Sequence, residues 1–298
     1  MITTKTVIAA VFLLMVFFVS GCASSSSEGG GFFSGIFGKS ETATGAFAGG
    51  TEALNLKFLD NQPPDEVFMS TNFNIAVLAE NKGESDIKLG EATIILSKPY
   101  ELIIGEDTLK TNKRYIKGVT KISGAIPGGT DTIVWKGAKF SGLPALTEAQ
   151  KRTVSVDACY PYSTKIAVPL CVAETSEVCN PKESKKPESS GGPLQVTDFK
   201  QTAVPSEGKI IVSFTFGIEN KGSDIYALGA DCQNLDSELS GMVNITSITL
   251  GTKDYPVSSC RASAVYLTDG KGSQTCRIEV DRTSDFQDTL LLKLGFIY

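Results

Sequence analysis

Apolar and polar positions alternate with a period of two along most of the chain, the pattern of strands with one buried face. Ile210, Val212, Phe214, Phe216 and Ile218 alternate without a fault, and Phe73, Ile75, Val77 and Ala79 do the same earlier. Shorter apolar runs follow at Ala92–Leu96, Thr132–Trp135, Val154–Ala158, Val243–Thr246 and Gln274–Ile278, and in the segment DTLLLKLGFIY. Turn formers separate them: Pro63-Pro64, Pro127-Gly128-Gly129, Ser141-Gly142 and Asp269-Gly270-Lys271-Gly272. No stretch sustains a helical period, although Leu143 to Arg152 could hold one short turn of helix. Many short strands between Gly/Pro turns predict an all-β protein of packed sheets.

Three segments break the alternation and divide the chain. The first is an unbroken apolar run, Val7–Val19, preceded by Lys5 as the only charge. As a helix it would be about 20 Å long at about 1.5 Å per residue. That is short of the roughly 30 Å of a bilayer core and suits the apolar region of a signal peptide. The second, 23–50, is dominated by Ser, Gly, Ala and Thr. It carries too little apolar surface to offset the entropy of ordering it. Within it, Phe32-Phe33-Ser34-Gly35-Ile36-Phe37 is more apolar than a tether requires, and suits contact with a membrane interface or a partner. The third, NPKESKKPESSGGP at 180–193, reads as a linker. The expected organisation is a signal peptide at 1–21, a flexible tether at 22–50, a first sandwich at 51–179, a linker at 180–192 and a second sandwich at 193–298.

Two resemblances sharpen this. Val19-Ser20-Gly21-Cys22 directly follows the apolar run. Small residues before a cysteine at that place resemble the lipobox of exported lipoproteins. The resemblance implies that Cys22 receives a diacylglyceryl group and becomes the mature N-terminus. The second rests on an internal repeat. FNIAVLAENKGESDI at 73–87 and VSFTFGIENKGSDI at 212–225 both place Glu-Asn-Lys-Gly directly after an alternating strand. The opening strands ALNLKF at 53–58 and PLQVTDF at 193–199 precede them. This pattern is similar to CARDB-type and related immunoglobulin-like modules of bacterial and archaeal surface proteins. It implies two immunoglobulin-like β-sandwiches that space or adhere. Physically, the shared tetrapeptide is a turn: Asn tolerates left-handed backbone and Gly adopts it freely, so Asn81 and Asn220 read as turn formers rather than binding residues.

Composition limits the chemistry. The formal net charge is −5 and there is no histidine. Weak acidity argues against a nucleic-acid partner, which favours a basic face. Without histidine, Ser-His-Asp and Cys-His catalysis and His-based zinc sites are excluded; carboxylate-pair and Ser-Lys enzymes remain formally open. Of the seven cysteines, six remain beside Cys22: Cys159, Cys171, Cys179, Cys232, Cys260 and Cys276. An even set in an exported chain points to disulfides, with several connectivities open. Three cysteines precede or enter the linker and three follow it, so full pairing within one chain requires at least one crossing bridge. Cys171 and Cys179 are close in sequence, and Cys260 and Cys276 flank the Asp269-Gly270 turn, which leaves Cys159 with Cys232.

Other candidates are weaker. Asp60, Asp65 and Glu66, and Asp281, Asp285 and Asp288, lie in loops but lack the spacing of a calcium loop, so no metal is expected. Trp135 reads as core; Tyr160 and Tyr162 could line a ligand surface. Gly128-Gly129-Thr130 has no following Lys and is a turn. Asn244-Ile245-Thr246 is an N-x-Thr sequon and a candidate glycosylation site, although it sits in an expected strand. The reading is an extracytoplasmic surface protein, held to the membrane by a lipid, without a cofactor or catalytic centre. It would contact proteins or glycans as a structural or adhesive module. The alternative is an accessory subunit of an envelope assembly for secretion, pili or transport.

Overall fold

A computed structural model describes residues 46–298 except 70, 122–123, 142–147, 175–177 and 282–284. All of these fall in one compact unit spanning 40–298. Cys22 and Phe32–Phe37 lie outside the described residues. The chain is all-β. Its only helical elements among the described residues are two single 3-10 turns, Ser237–Leu239 and Val257–Ser259.

The first half carries β1 (Leu54–Phe58), β2 (Phe73–Asn81), β3 (Thr93–Ser97), β4 (Leu102–Ile103), β5 (Leu109–Thr111), β6 (Thr120–Lys121), β7 (Ala125–Ile126), β8 (Thr130–Phe140) and β9 (Ser155–Cys159). They form a sheet in the order β1-β2-β8-β4, a second in the order β5-β3-β9, and the small pair β6-β7. The alternation read from the sequence sets the buried face. Ile75 and Val77 of β2 and Ile133 and Trp135 of β8 belong to the same apolar core as Ile94 and Leu96 of β3.

The second half contributes β10 (Pro161–Val172), β11 (Glu188–Ser189), β12 (Leu194–Ser206), β13 (Lys209–Asn220), β14 (Met242–Leu250), β15 (Lys253–Tyr255), β16 (Ala264–Tyr266), β17 (Lys271–Asp281) and β18 (Phe286–Ile297). One sheet runs β12-β13-β17; the other runs β11-β10-β18-β14-β15, with β16 also paired to β14. All five alternating residues of β13 are buried, as are Leu290, Leu292, Leu294 and Phe296 of β18. The hairpin from β16 to β17 turns on Asp269 and Gly270, both at positive φ (52° and 75°), as the Asp-Gly pair leads one to expect.

The partition differs from the expected one at the segment 180–192. Strand β10 precedes that segment, yet it pairs along its whole length with β18, from Pro161↔Ile297 to Val172↔Phe286. Only Tyr160 separates β9 from β10, so one nearly continuous run of strand passes from the first pair of sheets into the second. The end of the segment is not a free linker either. Ser190, Gly191 and Gly192 are buried, and Glu188–Ser189 pairs with β10 at Ile166–Ala167. The composition of 180–193 hid this, because glycines pack where a side chain could not. A Cβ on Gly192 would meet the Tyr162 ring, and one on Gly191 would meet the carbonyl of Gly49.

Pro169 sits inside β10, where its missing N–H would break a ladder with two neighbours. Strand β11 reaches only Ile166–Ala167. Pro169 is therefore paired on one edge and lies past the end of the other neighbour, a place strands tolerate proline.

Candidate functional site

The two Glu-Asn-Lys-Gly repeats are the same turn. In the first, Asn81 Oδ1 accepts from Gly83 N (3.0 Å) and its Nδ2 donates to Ser85 O (2.7 Å). In the second, Asn220 Oδ1 accepts from Gly222 N (3.0 Å) and its Nδ2 donates to Ser223 O (2.6 Å). Each lysine N–H then donates to the residue leading into the opening strand: Lys82 to Ala53 O (2.8 Å), Lys221 to Pro193 O (2.7 Å). The asparagines form the turn by bonding their own backbone, which is the turn-forming role their spacing suggests.

Each turn also lies under a tyrosine. A Cβ on Gly83 would collide with Tyr162 Oη, and one on Gly222 with Tyr298 Oη. Tyr160 and Tyr298 exchange both backbone hydrogen bonds (2.9 Å each), which carries the β10–β18 ladder one residue further, to the end of β9. Tyr160, Tyr162, Phe296 and Tyr298 form an aromatic cluster with centroid separations of 5.8–6.4 Å. Tyr160 Oη accepts from Leu54 N (2.9 Å), and Tyr162 Oη donates to Gly191 O (2.7 Å). Burial raises both phenols, Tyr162 to about 12 and Tyr160 further still. Tyr160 is an interior joint; Tyr162 is equally buried but also lines the cleft between the two halves.

Glu84 completes the junction. Its carboxylate accepts from Ala48 N (2.9 Å), Gly49 N (3.0 Å) and Gly191 N, while its own N–H donates to Gly191 O (3.0 Å). One side chain thus pins both the entering chain and the Gly-Gly segment to the first turn. Sequence reasoning singled out the Asn and Gly of this motif and passed over the acid beside them. The available signal was an acidic residue next to a turn whose glycines leave backbone N–H groups exposed to it.

All six described cysteines are paired: Cys159–Cys232, Cys171–Cys179 and Cys260–Cys276. These are the pairs that loop length and odd counts favour. The crossing bridge has a Cα–Cα distance of 5.6 Å and joins the end of β9 to the loop after Ala230, beside Tyr226, Leu239 and Ile297. It staples the junction where Tyr160 and Tyr298 pair.

Beside the junction is a cleft of about 380 Å³ between the two halves. Asp86, Lys88 and Glu91 line it on one side, and Ser163, Lys165, Thr246 and Lys293 on the other. Lys88 pairs with Glu91 (3.2 Å). Lys165 and Lys293 stand directly opposite each other across β10 and β18, both exposed. Like charges in that register repel, and among the described residues neither ammonium has an ion-pair partner. The cleft therefore offers two ammonium donors and several hydroxyls to a polar, carboxylate- or hydroxyl-rich surface.

The remaining candidates are dispersed. Trp135 is fully buried and donates from Nε1 to Asp107 O (3.1 Å), with Lys110 Nζ 5.7 Å above its ring. Asn244 lies mid-strand in β14, and its Oδ1 accepts from Leu228 N (2.8 Å). Asp281 pairs with Lys253 (3.2 Å), and Asp288 Oδ1 accepts from Thr289 N (2.7 Å). Among the described residues no group of three metal-ligating side chains converges. The chain matches no known protein family, no curated protein and no solved structure.

Proposed function

We propose that the protein is a lipid-anchored extracytoplasmic binding or structural module. In this reading Cys22 carries the lipid, residues 1–21 are removed, and two immunoglobulin-like, CARDB-like sandwiches present a fixed surface to a protein or glycan partner outside the cell. The observation that carries it is the junction. A strand passing from one pair of sheets to the other, a crossing disulfide and the Glu84 clamp leave the two halves no hinge. A protein that must hold a surface in one orientation gains from such a joint. Three disulfides suit an oxidising compartment.

The partner surface in this reading is the cleft at Lys165 and Lys293. A Lys165→Glu/Lys293→Glu variant should lose the partner captured by mild crosslinking on intact cells, with its own cellular level unchanged. Undiminished capture would remove the cleft from the proposal. A captured component of a secretion, pilus or transport complex would place the protein as an accessory subunit of that assembly.

A further inference from the structure

The two halves repeat one plan. The order β1-β2-β8 recurs as β12-β13-β17, and β5-β3-β9 recurs as β15-β14-β18. The repeat fails at one edge. Strand β18 is paired by β14 on one side and by β10 on the other. Its counterpart β9 is paired by β3, from Thr93↔Cys159 to Ser97↔Ser155, and among the described residues no strand pairs with its other side. Tyr160, directly after β9, gives both its backbone groups to Tyr298. A strand turns the backbone groups of every second residue to the same edge. Val156 and Ala158 therefore aim theirs to that side too, and among the described residues nothing meets them there.

Burial follows the same edge. Leu290, Leu292 and Leu294 of β18, which has neighbours on both sides, are fully buried. Val154, Val156 and Ala158 pack on the core of the first half but stay half-buried, as do Leu54, Leu56 and Phe58 of β1. Strands β1 and β9 adjoin along this seam, and Leu54 N donates to Tyr160 Oη (2.9 Å) at one end of it. The alternate residues Lys151, Thr153, Ser155 and Asp157 are exposed. Among the described residues neither Lys151 nor Asp157 forms an ion pair. An unpaired edge beside half-covered apolar side chains is a template for another strand.

We propose that the open edge of β9 pairs with the same edge of a second copy of the chain, joining two β5-β3-β9 sheets through an antiparallel β9–β9 ladder. The charges along the edge select this occupant and its register. A two-fold axis normal to the sheet leaves every residue on its own face, so odd residues stand opposite odd ones and even opposite even. Centred on Val154, the ladder runs over residues 151–157 of both copies. Val154 then meets the partner's Val154, Thr153 meets the partner's Ser155, and Lys151 meets the partner's Asp157. That last pair occurs twice and sets opposite charges directly across the seam, where such pairs stabilise and like charges repel. Neighbouring registers lose it. Centring on Ser155 sets Lys151 against Cys159, centring on Val156 sets it against Pro161, and centring on Asp157 sets the two carboxylates against each other. Arg152, held by Glu101 (3.5 Å), comes opposite the partner's Val156, which its aliphatic stem would cover. Left unpaired, the same charges discourage strands of other sequence from joining the edge.

Pairing would cover the half-buried valines and set two copies of the Lys165/Lys293 cleft on one assembly, so that a repetitive partner is held at two points. The proposal depends neither on the lipid at Cys22 nor on the partner at the cleft.

The test uses the full chain in detergent with its disulfides intact, followed by sedimentation over a range of concentrations. Lys151→Asp and Asp157→Lys each turn both cross-strand pairs into like-charge pairs, and each should weaken dimerisation about 10-fold. Combined in one chain, the two exchanges restore opposite charges across the seam, and the dimer should return to near wild-type strength. Amide hydrogen exchange gives a second readout. Val156 and Ala158 should exchange about 10-fold more slowly in the dimer than in the dilute monomer, with the amides of β18 unchanged as the folding control. A protein that is monomeric at every concentration, a dimer indifferent to the charge changes, or single-variant losses that the combination fails to rescue overturns the proposal. Slow exchange at Val156 and Ala158 in the dilute monomer also overturns it, because the edge is then covered within one chain.

Discussion

Gly83→Ala is the substitution whose effect the junction fixes most closely. Gly83 is buried, and a Cβ there would run into Tyr162 Oη, with Glu52 O at 2.8 Å and Tyr162 Cζ at 3.0 Å. Neither Gly83 nor Gly222 has positive φ, so the penalty is steric and not conformational. Tyr162 cannot swing away cheaply, because its ring is buried against Phe296 and its hydroxyl is bonded to Gly191 O. Overpacking of this kind costs about 1–3 kcal/mol, and losing the hydroxyl's hydrogen bond adds roughly 1 kcal/mol. We therefore predict a loss of about 3 kcal/mol for Gly83→Ala. Gly222→Ala is the internal comparison. Gly222 is exposed and its obstructing Tyr298 is only half-buried, although Pro193 Cβ also stands at 2.9 Å, so the loss should be smaller than at Gly83, about 1–2 kcal/mol. Tyr162→Phe removes the atom that collides, so combining it with Gly83→Ala should give a loss smaller than the sum by about 1–2 kcal/mol. Urea unfolding followed by the fluorescence of Trp135, the sole tryptophan and part of the core, reads all four proteins. Equal losses for the two glycine variants, or strict additivity with Tyr162→Phe, would refute the account of the junction.

Other perturbations probe the same joint. Replacing both Cys159 and Cys232 by Ala removes a bridge across a separation of 73 residues; it should lower stability by about 4 kcal/mol in non-reducing urea titrations. Glu84→Ala leaves the Gly191 N–H without its carboxylate and should cost about 2 kcal/mol, with faster proteolysis at 46–50 as a second readout. Tyr160 and Tyr162 are protonated in the folded state above the ordinary phenol range. Their contribution is complete below about pH 10 and is lost as pH rises towards the folded value of about 12 for Tyr162. Stability should therefore fall from about pH 10 upward, and a tyrosine absorbance titration showing every phenol ionising near pH 10 without unfolding would contradict this. A protease cut within 181–187 should leave the two fragments associated on a native gel even after reduction, because β10 and β18 lie on opposite sides of the cut and pair over their full length.

The sequence made strand faces legible and strand neighbours obscure. Period-two alternation identified the buried side of β13 at all five alternating positions and of β2 at Ile75, Val77 and Ala79, although Phe73 is only half-buried and Ala76 on the opposite face is buried as well. The Asn-x-Gly turns were readable as turns, although not through left-handed backbone: none of Asn81, Gly83, Asn220 and Gly222 has positive φ, and the asparagine side chains form the turns by bonding nearby backbone. Parity required a crossing bridge and loop length favoured two local pairs, but several connectivities stayed open, and the fold selects Cys159–Cys232, Cys171–Cys179 and Cys260–Cys276 among them. What stayed hidden was the sheet to which β10 belongs. No strand was read at 161–172, because PYSTKIAVPLCV does not alternate cleanly; its partner lies more than a hundred residues away, and chain order alone placed the segment in the first half. Gly191 and Gly192 were misread for a related reason. Composition treats glycine as a linker residue, whereas here its missing Cβ lets Tyr162 and Gly49 approach. Glu84, the centre of the clamp, looked like one more surface acid because all its partners are backbone N–H groups, which no side-chain motif reveals.

The anchored, exported state is the claim on which the functional reading rests, and the intact mass of the protein purified from membranes tests it directly. The account predicts a chain beginning at Cys22, heavier than residues 22–298 by a diacylglyceryl group and lighter by the six hydrogens lost in three disulfides, with any further N-terminal acylation adding to that mass. A chain that retains residues 1–21, or one that starts after Gly21 with an unmodified Cys22, would contradict it.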